Sequence, residues 1–131
     1  MNIFYLSHDV EECARWHVDR HVVKMILEYS QLLSTAHRVL DGEEVIEQKY
    51  VAGSLPARWR NVKRLKLENQ KMDEKLYKAT HINHPSAVWV RQSSLNYNWL
   101  LSLLICLHDE YTFRYGKIHK SSELIPFLMN S

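Results

Sequence analysis

Apolar positions recur at helical spacing along most of the chain. In "HVDRHVVKMILEYSQLLSTAHRVLDG", residues 17–42, Val22, Val23, Met25, Ile26, Leu27, Tyr29, Leu32, Leu33, Ala36, Val39 and Leu40 cover most of a helix circumference. Between them His17, His21, Lys24, Glu28, Gln31, Thr35 and Arg38 recur at intervals of three and four and form one narrow polar stripe. The pattern predicts a helix from about Arg20 to Leu40, capped by Asp19 and stopped by Asp41-Gly42. Upstream, "NIFYL" fits a short strand or an extended arm. Ser7 or Asp9 then caps a first helix that reaches about Trp16, with Glu11 and Glu12 in its favourable first turn.

Downstream, residues 43–53 read as a loop. "SLPARW" reads as a helix start, with Ser54 as cap and Pro56 near the first turn. The charged stretch 56–78 then reads as one long surface helix or two short ones. Its apolar face is ragged: Trp59, Val62, Leu65, Leu67, Met72, Leu76 and Tyr77. "THINHPS" is a loop, because Pro85 disfavours helical backbone at His84. A helix from Pro85 to about Ser93 follows, then a long apolar helix over 94–115 that stops at Gly116. Ser121 or Ser122 caps a short final helix. The predicted architecture is all-α: a compact single-domain helical bundle over 1–131, with two long central helices and a short N-terminal extended arm.

Composition agrees with one ordinary domain of 131 residues, and only three glycines and three prolines leave little material for turns. A formal charge of +2 is too small to name a partner. Lys and Arg nevertheless crowd into 58–78, and Arg114, Lys117 and Lys120 form a second group. No apolar run approaches the roughly 18 residues of a membrane span, and the N-terminus lacks the pattern of a secretion signal. Cys13 and Cys106 match no metal or redox spacing, so they read as small core residues in a reducing, cytoplasmic setting.

Three groups of residues carry candidate chemistry. The stripe is either the wall of a cleft or a solvated face with a Lys24–Glu28 ion pair. His17, His21 and Glu28 lie at helical spacing and also fit a metal-dependent enzyme, although no HExxH pattern is present. In "THINHPSAVWVRQSSLNYNW", Trp89, Arg91, Gln92, Asn96, Tyr97 and Trp99 mix flat rings with planar donors, which suits a nucleobase; both tryptophans also sit at core spacing. In "YTFRYGKIHK", Arg114, Lys117, His119 and Lys120 either favour a helix C-terminus or meet phosphate.

The segments MNIF, DRHVVKMILEYSQLLSTAHRVLDG, YKATHINHPSAVWVRQSSLNYNWL and DEYTFRYGKIHK together resemble the pyrimidine-dimer DNA glycosylase family of endonuclease V type, in particular its phage-encoded relatives. The resemblance implies a catalytic glutamate seven residues after the histidine of an Asp-x-His motif. Asp19, His21 and Glu28 have that spacing. It implies an amine that attacks the sugar C1′ and forms an imine, with the glutamate moving protons. In the family this amine is the terminal one. Asn2 is large, so Met1 is expected to be kept and to carry that amine; Lys24, one turn before Glu28, is the alternative.

The implied function is a DNA glycosylase, with AP-lyase activity, for damaged or modified pyrimidines in double-stranded DNA. It needs no cofactor, metal or membrane, and its place is the cytoplasm of a host cell. His21, Gln31, His84, Trp89, Arg91, Asn96, Arg114, Lys117 and Lys120 are its expected substrate contacts. The family's small residue followed by arginine at the start is absent, as is its basic, aromatic tail. A non-catalytic nucleotide or nucleic-acid binder that uses the same pocket is the alternative.

Overall fold

A computed structural model describes residues 2–53 and 58–129. Residues 2–7 form an arm that has no strand partner among the described residues. Helix α1, Val10–Arg15, starts at Asp9, whose carboxylate accepts the N–H groups of Glu11 and Glu12 at 2.9 and 3.2 Å. Helix α2, Asp19–Asp41, follows the extended residue Val18 and has no side-chain cap, so Asp19 is its first residue rather than its cap. Gly42 ends α2 in an extended conformation. What demands glycine there is close approach: a Cβ would lie 2.4 Å from the Arg38 carbonyl oxygen, a backbone atom that cannot step aside.

Helix α4, Pro85–Gln92, is capped by His84, whose Nδ1 accepts the Ser86 N–H at 3.1 Å. Ser93 separates it from α5, Ser94–Tyr115, and caps that helix through the Asn96 N–H. Gly116, at φ 69°, closes α5 in the left-handed conformation that glycine adopts without strain. A 3₁₀ turn, Lys120–Leu124, leads into α6, Ile125–Met129. Its cap is His119, which accepts the Ser121 N–H, rather than Ser121 or Ser122.

The two predicted central helices are central. Met25, Ile26, Tyr29, Leu32 and Leu33 of α2 are fully buried with Leu100, Leu103, Leu104 and Leu107 of α5. Ala87 and Val90 of α4 and Cys13 and Ala14 of α1 complete this core. Both cysteines are free thiols. No helix among the described residues is long and apolar enough to cross a membrane.

The all-α expectation is wrong. Residues 43–51 and 58–66 form an antiparallel ribbon of β1, Glu43–Val51, and β2, Arg58–Lys66, in register from Glu43 opposite Lys66 to Val51 opposite Arg58. The fold is mixed, though mostly helical. The expected loop over 43–53 and the helix expected from residue 56 are both replaced; the expected start signals Ser54 and Pro56 lie outside the described residues.

Strand chemistry explains the outcome. Val45, Ile46, Tyr50, Val51, Trp59 and Val62 are β-branched or aromatic and fit a pleated surface. Alternation then aligns cross-strand pairs: the Tyr50 and Trp59 rings lie 5.4 Å apart, and Lys63–Glu44 and Arg64–Glu47 approach to 3.6 Å. A helix over the same residues would have had only a broken apolar face. Of the described residues in the expected helical stretch, only α3, Gln70–Lys75, is helical, and Asn69 caps it.

Candidate active site

The arm is fastened to α2. The Phe4 N–H donates to the Tyr29 hydroxyl at 3.1 Å, and the Phe4 ring stacks on His21 with centroids 4.5 Å apart. The Cys13 thiol donates to the Phe4 carbonyl at 3.2 Å and accepts the Leu6 N–H at 3.4 Å, so this cysteine holds the arm as well as filling the core.

Beneath the arm, His17 is buried. Its Nδ1 meets the Cys13 carbonyl oxygen at 2.7 Å and its Nε2 meets the Tyr29 hydroxyl at 2.9 Å. A carbonyl only accepts, so Nδ1 carries the proton, Nε2 accepts from Tyr29, and the Tyr29 oxygen stays free to receive the Phe4 N–H. Burial pushes the His17 pKa down and the Tyr29 pKa up, so both rings keep their neutral forms.

The polar stripe therefore divides into three parts. His17 is a core residue. His21, Glu28 and Gln31 are half-buried and Lys24 is exposed, all on one edge of α2. Among the described residues Glu28 takes part in no hydrogen bond or ion pair, so the Lys24–Glu28 pair that the spacing allows is not made. The last part is a clamp. Thr35 exchanges hydrogen bonds with the backbone of Thr80 at 3.3 and 3.4 Å, and the Ser34 hydroxyl accepts the Tyr77 N–H at 3.3 Å. Arg38, buried, reaches Asp73 and four main-chain carbonyls.

The other face of the arm meets the second group of residues. Tyr5 lies 4.8 Å from Trp99, and Trp99 lies edge-on to Trp89 at 6.2 Å. The Trp99 indole N–H donates to the His8 carbonyl at 3.4 Å, and the Tyr5 hydroxyl bonds His8. Both tryptophans are half-buried against the core. The arm thus joins the α2 edge, with His21, Lys24 and Glu28, to an aromatic group on α4 and α5.

Several expected substrate contacts have structural partners. His84 caps α4. Arg91 donates to the Ile82 carbonyl at 2.6 Å, and the Asn96 amide donates to the Trp89 carbonyl at 2.8 Å. Arg114 binds Glu110, Asp19 and the carbonyls of His17 and Arg15, all within 2.9 Å, and so ties the end of α5 to the α1–α2 junction. Asp19 thus faces Arg114 rather than Glu28. Lys117 and Lys120 are exposed and join no ion pair among the described residues. Met1 lies outside the described residues.

Among the described residues no group of three His, Cys, Asp or Glu side chains is arranged to hold a metal ion. His17, one member of the considered trio, has both ring nitrogens engaged.

Sequence reasoning passed over His37, Asp41 and Tyr97 as a group. His37 is buried, with Nε2 at 2.5 Å from the Tyr97 hydroxyl and Nδ1 at 3.6 Å from Asp41. The Tyr97 hydroxyl donates to the Leu128 carbonyl at 2.6 Å, so His37 Nε2 is the donor to Tyr97. These three line a cavity of about 350 Å³ together with Arg91 and Leu40. Burial raises the Tyr97 pKa, so its hydroxyl stays protonated and locks α6 against α5 and α2. The i,i+4 spacing of His37 and Asp41 was the available signal.

No family model, curated protein or solved structure matches the chain.

Proposed function

We propose that the protein is a DNA glycosylase with AP-lyase activity that acts on damaged or modified pyrimidines in double-stranded DNA. Glu28 is the general acid/base, and the Lys24 amine or the α-amine of Met1 is the nucleophile. The amine attacks the sugar C1′, the C1′–N bond breaks, and the base leaves with the electron pair and takes up a proton from solvent. Glu28 removes a proton from the attached nitrogen and delivers it to the ring oxygen as the ring opens, which leaves a protonated imine. Loss of a C2′ proton then expels the 3′ phosphate and breaks the strand.

The observation that carries this reading is the unengaged, half-buried Glu28 carboxylate on the edge of α2 to which the arm is fastened. Its neighbour Tyr29 holds Phe4, and His21, on which Phe4 stacks, lies two turns away on the same edge. A carboxylate without a structural partner is free to exchange protons with a substrate. An enzyme of this class must extract a base from the duplex, and Tyr5, Trp99 and Trp89 beside the arm offer flat surfaces to receive one.

The test is UV-irradiated plasmid scored for nicks. Wild-type protein nicks it; Glu28→Gln binds the duplex with unchanged affinity and does not nick. Borohydride added during turnover traps a protein–DNA adduct, and peptide mapping assigns the amine to Lys24 or Met1. Binding without nicks or adduct overturns the enzymatic reading in favour of a non-catalytic binder.

A further inference from the structure

The β1–β2 ribbon stands away from the helical body. It is held at its root, where Arg38 takes the Leu65 carbonyl and Leu67 enters the core. Each strand has nine residues and spans about 30 Å. An isolated two-stranded ribbon is marginal in water. This one also leaves Ile46 at 67%, Tyr50 at 52% and Trp59 at 64% exposure. Such a ribbon calls for a partner.

Charge identifies the partner's chemistry. The acids of the ribbon, Glu43, Glu44 and Glu47, lie in its root half, where Glu44 and Glu47 face Lys63 and Arg64. The distal half carries Lys49, Arg58 and Arg60 and no acid. The register sets Lys49 directly opposite Arg60, with Val51 opposite Arg58 next along, so all three cations project from one face. Like charges directly opposite each other destabilise a strand pair. None of the three joins an ion pair among the described residues. The other face of the same half carries Gln48, Tyr50, Trp59 and Asn61.

We infer that the distal half of the ribbon is a duplex-binding element whose Lys49, Arg58 and Arg60 face seats on the phosphate backbone of double-stranded DNA. A two-stranded ribbon is narrow enough to enter a major groove of about 12 Å. The phosphates relieve the Lys49–Arg60 repulsion that the free protein bears. The identity of the polyanion as DNA rests on the function proposed above; the charge geometry stands by itself. The ribbon supplies a grip about a strand's length away from the α2 edge, on an element that the catalytic residues do not share.

The test measures affinity for an undamaged 25-base-pair duplex, with no turnover involved, across a salt series. The double variant Lys49→Gln/Arg60→Gln is expected to bind about tenfold more weakly, with the slope of log affinity against log salt reduced by about 2. Its melting temperature is expected not to fall, because the repulsion is gone. Glu28→Gln is expected to bind like wild type. An unchanged affinity and salt slope in the double variant overturns the ribbon inference even if the wild type nicks irradiated plasmid. A weakened double variant sustains it even if the wild type nicks nothing. Tighter wild-type binding to the single strand of the same sequence, or a ribbon-mediated dimer with no duplex affinity, also overturns it.

Discussion

Arg38 meets the Asp73 carboxylate at 2.7 Å, and the same guanidinium takes the main-chain carbonyls of Leu65, Asp73, Leu76 and Tyr77 at 2.7–2.9 Å. One side chain on α2 therefore organises the return of β2, the α3 turn and the approach to α4. Desolvation pushes the Asp73 carboxyl up, but the Arg38 guanidinium and the Leu67 N–H outweigh it and hold it below its ordinary value.

Arg38 is 4% exposed, so its removal leaves the half-buried Asp73 carboxylate and four carbonyls without their donors. Arg38→Met is expected to destabilise the fold by about 2–4 kcal/mol in urea titration, chiefly through the carbonyls left without donors. Arg38→Lys is expected to recover little, because an ammonium lacks the planar fork that reaches five acceptors. A loss under about 1 kcal/mol would refute the clamp.

Tyr29→Phe removes a hydroxyl that receives the Phe4 N–H and donates to His17. The expected loss is about 1–3 kcal/mol, since His17 Nε2 is left buried without a donor. Hydrogen exchange at the Phe4 amide is expected to accelerate by more than the global destabilisation explains. If Phe4 exchanges no faster, the arm is held by packing alone.

His108 is buried, and among the described residues its Nδ1 has no partner. Burial, and then the nearby His119, push its pKa from 6.5 down to about 4. The unfolded chain keeps the ordinary value, so below pH 6.5 it binds a proton that the folded protein refuses until about pH 4. The associated stability is complete above pH 6.5 and is lost as pH falls to about 4, by on the order of 3 kcal/mol. His17, also depressed by burial, acts with the same sign. Melting temperature should drop between pH 7 and 4.5, and less steeply in His108→Leu. Parallel profiles for the two proteins would clear His108 of the effect.

The helical part of the fold was legible because α2 and α5 carry long apolar periodicities and clear punctuation: Asp9 before α1, Pro85 at the start of α4, Gly116 after α5. The ribbon was not, for a physical reason. Its strands bury almost nothing, so the contrast between an inner and an outer face that marks a strand is nearly absent, and the dense Lys and Arg content reads equally well as a surface helix. The stripe was legible as a row but not as three roles. Periodicity puts His17, Glu28 and Arg38 on one side of a helix, whereas their duties depend on Tyr29, on the arm and on the segment around Leu76, whose positions are set by tertiary packing. Arg91, Asn96 and Arg114 illustrate the same limit: their donors are engaged by carbonyls and carboxylates of the chain itself.

Only Gly42 stands between the last residue of α2 and the first of β1. Two backbone dihedrals, already crowded by the Arg38 carbonyl, are all the freedom that the joint possesses. The ribbon is thus welded to the helix rather than hinged on it. A load that leans on its distal half is transmitted as torque along α2, the same rod that bears Glu28.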